Sequence, residues 1–283
     1  MLGLSALRVR REERVSRYIK EKILRGETLH FTLIDPAKLL NLESLESTAE
    51  KVARAGTDAF MIGGSLGVSE RDVDEAAARL KKFGLPVIAF PGNVNGLSRN
   101  VDAVLFMSLL NSEDLYYVVG AQVAGAVVVA RYGLEVLPTG YIIVGYGGTA
   151  GFVGRARPVP YEKHEVLLAY SLAAYMMGMN YIYLEAGSGA PQPVHRDSVR
   201  LVKSVLPEAV LIVGGGIRTP EVAMEIARAG ADVVVTGNIV EDNLEKAVEV
   251  VRAVKSVKKN AQKQAGLAPK GDAYSHPGAQ PVG

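Results

Sequence analysis

"VLIVGGGIRTPEVAMEIARAGADVVVTGN" (210–238) contains a complete strand–helix–strand unit. An apolar, β-branched run at 210–214 ends in three glycines, Gly214 to Gly216. Thr219-Pro220-Glu221 then supplies a cap residue, a proline at the first helical position and an acid in the first turn. The helical pattern at 219–229 is followed by a second apolar run, DVVVTG, at 232–237. Neither run alternates cleanly, as expected of parallel strands covered on both faces.

Outward from this unit the same alternation repeats. Further candidate strands are LHFTLI (29–34), DAFMIG (58–63), PVIAF (86–90), DAVLFM (102–107), YIIVG (141–145) and YIYLE (181–185). Helical patterns occupy 8–25, 43–55, 69–83, 112–131, 161–178, 195–206, 219–229 and 241–257. The connection PGNVNGLSRNV, between 90 and 102, is too short and too rich in Gly and Asn for a full helix. Eight strands alternating with helices predict an α/β fold, a closed (β/α)8 TIM barrel, over an open doubly wound sheet. No Gly-x-Gly-x-x-Gly follows the first run, which argues against a dinucleotide fold. Residues 1–258 read as one barrel domain whose first helix caps the barrel bottom. Residues 259–283, rich in Gly, Pro, Ala and Gln, read as a disordered tail.

The totals agree. With 283 residues, 48% hydrophobic, 22% charged and a net charge of +2, the chain has room for a large core and no charge excess pointing to nucleic acid. The absence of Cys excludes a disulfide framework and fits a cytoplasmic protein. No apolar run is long enough to span a membrane, and the opening MLGLSALRVRREERVSRYIKEKILRG lacks the apolar segment of a signal peptide. Transient contact with a membrane surface stays open. Helices 112–131 and 161–178 are apolar around most of their circumference, which predicts a homo-oligomer, with a hydrocarbon-binding surface as the alternative.

In a barrel the chemistry sits where strands end. Gly214, Gly215, Gly216, Gly237 and Asn238 close the last two runs, the place where barrels hold a phosphate on backbone N–H groups. Asp35, at the end of the first run, either starts a turn with Pro36 or holds Mg2+, with Ser65 offering a neighbouring hydroxyl. Glu185 ends an apolar run and precedes small residues: it either pairs with a surface cation or hydrogen-bonds substrate hydroxyls and accepts a proton. His30 reads as a core or site-wall residue, and the charge run Lys255 to Lys259 as a solvated helix end.

The strings HFTLIDPAK (30–38), GGS (63–65), FPGN (90–93), FMSLLNS (106–112), GGTAGFVG (147–154), YLEAGSGAP (183–191), VGGGIRTPEVA (213–223) and VVTGN (234–238) together resemble the geranylgeranylglyceryl phosphate synthase family, the archaeal ether-lipid prenyltransferases. The likeness covers about residues 20–255. It implies transfer of a geranylgeranyl group from its diphosphate to the 3-hydroxyl of sn-glycerol 1-phosphate, with Mg2+ as cofactor. By position it implies Asp35 and Ser65 as metal ligands. Tyr183, Leu184, Glu185, Ala186, Gly187, Ser188 and Gly189 would hold glycerol phosphate, with Glu185 on its hydroxyls and catalytic. Gly214 to Gly216 with Gly237 and Asn238 would hold its phosphate. The readings left open are another phosphate-binding barrel enzyme, such as a thiamine phosphate synthase-like transferase or a sugar-phosphate isomerase, a non-catalytic phosphate-binding barrel, and a synthase for a different prenyl length.

Overall fold

A computed structural model describes residues 10–11, 14–38, 42–64 and 66–259. Its elements, in chain order, are β1 (Arg10–Arg11), α1 (Arg14–Leu24), β2 (Leu29–Ile34), α2 (Leu42–Ala55), β3 (Ala59–Ile62), α3 (Glu70–Leu80), β4 (Val87–Ala89), β5 (Ala103–Leu109), α4 (Ala121–Tyr132), β6 (Glu135–Ile143), α5 (Gly148–Val153), α6 (His164–Met176), β7 (Tyr181–Glu185), α7 (Arg196–Val205), β8 (Val210–Gly214), α8 (Pro220–Ala229), β9 (Val233–Thr236), α9 (Asn238–Asp242) and α10 (Leu244–Ser256). Every strand pairing is parallel, and the order β6-β5-β4-β3-β2-β9-β8-β7 closes through β6–β7. This is the predicted (β/α)8 barrel.

Alternation along each strand makes two cores. Inward side chains, among them Phe31, Met61, Leu105, Leu137, Tyr183 and Val235, fill the barrel. Their outward neighbours, such as Phe60, Val104, Ile142, Leu184 and Val234, pack under the helices. Both faces are apolar because both are covered, which explains the unbroken runs in the sequence.

Several boundaries differ from the expectation. The strand expected at 141–145 is β6, Glu135–Ile143, and it runs through Pro138 and Gly140. Pro138 falls where the outer neighbour changes, from β1 at Val136 to β7 at Thr139. A Cβ on Gly140 would lie 2.5 Å from that of Ala174, so glycine lets α6 approach the sheet there. Within the expected helix 8–25, residues 10–11 pair with β6 as a strand and the helix begins at Arg14. The short helices α5 and α9 are additions. As expected, no full helix joins β4 to β5; a single 3-10 turn, Val94–Gly96, stands in its place.

The barrel bottom is held by carboxylates. Glu135 accepts hydrogen bonds from the amides of Val15 (2.8 Å) and Ser16 (2.7 Å), which fastens the start of α1 under the barrel. Asp58, Asp102 and Asp232, each just before its strand, accept from the amides of His30, Val87 and Leu211 at the start of the neighbouring strand. Lys255 binds Asp58, and Lys259 binds Asp232 at 2.8 Å. These two lysines are not a solvated helix end. Nor does Lys259 belong to a tail, since its amide also donates to Gly26 O at 2.8 Å. Residues 260–283, the rest of the expected tail, lie outside the described residues.

Candidate active site

The strand ends open onto a cavity of about 700 Å³. One end is polar and nearly free of side chains, walled by Ser188, Gly189, Gly215, Gly216, Gly237 and Asn238. Gly215 and Gly216 have φ of +81° and +71°, and a Cβ on Gly215 would lie 2.5 Å from both Glu185 Oε1 and the Gly187 amide nitrogen. Only glycine fits this approach of the loops after β8 and β7.

Glu185 ends β7 in this floor, buried. Its Oε1 accepts from the Gly187 amide at 2.6 Å. Burial raises its pKa to about 7, against the lowering effects of the Gly187 N–H and the Tyr183 hydroxyl. A carboxyl poised there exists in both protonation states near neutrality, as proton transfer requires. Among the described residues it has no ion-pair partner, and at 6% exposure it is not a surface group. Beside it, Tyr183 is packed between Phe90 (centroids 5.5 Å apart, stacked) and Tyr141 (5.1 Å, edge-on). Among the described residues the buried Tyr183 hydroxyl has no well-formed hydrogen bond, and burial with the nearby Glu185 charge holds its pKa well above the ordinary value. A buried hydroxyl this loosely held at a cavity wall is one that a polar ligand can satisfy.

The other end of the cavity is apolar. Because β4 and β5 are joined without a helix, the outward side chains Val104 and Phe106 face a slot bounded by Val94, Leu97 and, on α4, Ala121, Gly125 and Val129. A π-helical turn, Tyr116–Gly120, leads into α4 within the expected helix 112–131, and its Tyr117 lines the slot. Gly125 keeps α4 close: a Cβ there would touch Leu97 at 3.4 Å.

Asp35 lies between these ends, at the mouth, where its Oδ1 accepts from the Ala37 amide at 3.1 Å. Gly64 passes so close that a Cβ on it would lie 2.6 Å from Asp35 Oδ1. Ser65 lies outside the described residues. Among the described residues no three His, Cys, Asp or Glu side chains gather as a metal cluster. One carboxylate with open space beside it is a donor set that fits Mg2+, which takes few protein oxygens and completes its shell with water and phosphate.

The structure therefore brings together Asp35, Tyr183, Glu185, Ser188, Gly189, Gly215, Gly216, Gly237 and Asn238 around one cavity. Gly214 and Gly187 sit directly behind it, against Tyr183, Glu185 and the 147–148 turn. Leu184 and Ala186 are not brought to it: successive strand residues point to opposite faces, and these two are buried under the helices. His30 is not a site wall either. It faces outward, between the Thr57 and Thr236 hydroxyls at 2.9 Å each, and burial lowers its pKa to about 4. The sequence reading missed Lys38 and Glu241, which meet at 3.2 Å at the cavity mouth. No local pattern marks them, since they are far apart in the chain.

A family model described as the PcrB family matches residues 17–255. Geranylgeranylglyceryl phosphate synthase of Sulfolobus acidocaldarius is 50% identical over 248 residues, covering 88% of this chain and 96% of that protein. The protein of the same name from Staphylothermus marinus is 54% identical over 243 residues, covering 86% and 98%. Among solved structures, (S)-3-O-geranylgeranylglyceryl phosphate synthase from Thermoplasma acidophilum, in complex with its substrate sn-glycerol-1-phosphate, superposes with a TM-score of 0.82 at 41% identity, over 87% of this chain and 100% of that one. The chain belongs to the PcrB family, together with these geranylgeranylglyceryl phosphate synthases.

Proposed function

We propose that the protein is a prenyltransferase that moves a geranylgeranyl group from geranylgeranyl diphosphate to the 3-hydroxyl of sn-glycerol 1-phosphate, forming the first ether bond of an archaeal membrane lipid. The observation that carries this reading is the single cavity with a glycine-built anion end, a buried acid in its floor and an apolar slot at its other end. A small polyol phosphate suits the first two features, and a hydrocarbon chain suits the third. The relatives named above act under that name.

In this reading the backbone N–H groups of Gly215, Gly216, Gly237 and Asn238 hold the acceptor's phosphate. Tyr183 and Glu185 take its hydroxyls, so the acceptor is gripped at both ends. Asp35 and Ser65 would hold Mg2+, which when bound would neutralise charge on the leaving diphosphate. The allylic C1–O bond breaks with its electron pair going to the diphosphate. The glycerol oxygen forms the new C1–O bond, and its proton goes to ionised Glu185. The slot along Phe106, Leu97 and Val129 lodges the chain and keeps water from the allylic carbon, where water would give the free alcohol. The cytoplasm is the proposed location. Among the described residues no helix is long and apolar enough to cross a membrane.

Labelled geranylgeranyl diphosphate with sn-glycerol 1-phosphate, with and without Mg2+, tests the assignment. Formation of an acid-stable, lipid-extractable phosphate ester only when both substrates and metal are present is the expected result. Release of free alcohol alone would contradict it.

A further inference from the structure

Two phosphate-bearing substrates must enter one cavity whose walls carry four acids, Asp35, Glu185, Glu241 and Asp242. Among the described residues lining it, the cations are Lys38, Arg218 and Lys246. Arg218 is engaged at the far side of the glycine end, where its Nη2 donates to Gly189 O at 2.8 Å. Lys38 stands elsewhere. Its ammonium lies 3.2 Å from Glu241 Oε2, 3.2 Å from Asn238 Oδ1 and 4.0 Å from Asp35 Oδ2. It therefore sits between the glycine-built anion end, through Asn238, and the metal-binding corner, through Asp35.

We propose that Lys38 is the protein's own cation for the leaving diphosphate, held at the boundary between the two phosphate subsites. The inference rests on the prenyl-transfer reading above. Three arguments carry it. A diphosphate next to Asp35 would face Glu241 as well, and Lys38 is the cation placed to offset that half-buried acid. The ammonium is partly exposed, with its side chain at 44%, so it can exchange a protein acceptor for a phosphate oxygen without unfolding anything.

The third argument is directional. An ammonium can only donate, so the amide oxygen of Asn238 must be the atom that faces Lys38. The same oxygen accepts from Ser188 Oγ at 2.6 Å. Asn238 is thereby fixed with its amino group left over for another partner, an arrangement that suits an anion on the glycine side. Lys38 thus links the loops after β2, β9 and β7, and both phosphate groups are within its influence. As the C1–O bond breaks, charge accumulates on the diphosphate oxygen, and a lysine fixed there stabilises the leaving group more than the intact substrate.

The test compares the full chain with Lys38→Met and Lys38→Arg. Inorganic diphosphate is titrated by calorimetry without metal, and KM is measured for each substrate separately. Loss of one charge-assisted contact in Lys38→Met should weaken diphosphate binding by about 10- to 100-fold. It should also raise KM for the prenyl diphosphate and lower kcat, with a smaller change in KM for glycerol phosphate. Lys38→Arg, which keeps the charge, should recover most of the binding. If Lys38→Met does not fold, Lys38→Gln gives the same readout. Unaltered diphosphate binding in either neutral variant, or a change confined to glycerol phosphate, would overturn the proposal. Turnover by the unsubstituted protein tests the functional reading separately, since diphosphate affinity is measured without chemistry.

Discussion

The Oε1 atom of Glu185 and the amide of Gly187 are 2.6 Å apart, so the acid in the cavity floor is held by the backbone of the loop that it introduces. That bond fixes the carboxyl's direction, while burial raises its pKa to about 7. The turn thus sets the acid's position, while burial sets its proton affinity against the opposing Gly187 N–H.

Glu185→Gln keeps the shape and removes the charge and the base. The chemical step should slow by about 10²–10⁴-fold in single-turnover measurements. In the unsubstituted protein kcat/KM should rise with pH through a midpoint near 7, where the base ionises, and the Gln variant should lack that limb. Stability runs the other way. The folded pKa lies above the unfolded one, so the protonated form favours folding, and stability falls as pH rises from about 4.5 to about 7. Above pH 7 the Gln variant should unfold at a higher temperature, by a free energy of up to roughly 3 kcal/mol. An unchanged rate in the variant would remove Glu185 from the mechanism.

Gly215→Val puts a side chain where 2.5 Å separates it from Glu185 Oε1, in a backbone region that side chains avoid. It should raise KM for glycerol phosphate at least tenfold (about 1.4 kcal/mol) and that for the prenyl diphosphate far less. Gly237→Ala, with φ of −126° and ordinary contacts to Leu33, should keep the unfolding temperature and isolate the effect on the anion. Equal shifts in both KM values would contradict separate subsites.

Asp35→Asn leaves the bond to the Ala37 amide intact and should cost less than about 1 kcal/mol of stability. Turnover and the response to Mg2+ should both be lost, because an amide is a poor ligand for a hard cation. Near-normal activity with the same Mg2+ dependence would refute the metal assignment.

Helix α4 turns Gly125 and Val129 inward but leaves Val123 at 68% and Val127 at 43% exposure, and α6 ends in exposed Met176 and Met177. Such apolar faces call for a second burial partner. Light scattering should give a mass that is a multiple of 30.1 kDa, and Val123→Glu with Val127→Glu should shift it toward the monomer. A monomer at all concentrations would contradict this expectation.

Much of this site is legible in the chain because apolar runs that stop at small residues mark the catalytic face directly. Gly214 to Gly216, Gly237 and Glu185 stand out for that reason. What stayed hidden depends on distant pairing. Lys38 meets Glu241 only because β2 and β9 are neighbours in the closed barrel. Lys255 and Lys259 read as solvated because their acids, Asp58 and Asp232, lie elsewhere in sequence. Leu184 and Ala186 fall inside a site-like string, yet strand alternation turns them to the helices. Pro138 and Gly140 hid half of β6, since both normally break strands.

The most direct test of the central claim is the product mass after incubating the protein, Mg2+ and sn-glycerol 1-phosphate with an equimolar mixture of farnesyl, geranylgeranyl and longer prenyl diphosphates. The account predicts a single dominant product whose mass equals glycerol phosphate plus a geranylgeranyl group minus one proton, with fragmentation placing the ether on the 3-oxygen. No glycerol phosphate adduct with any of the chains would contradict it.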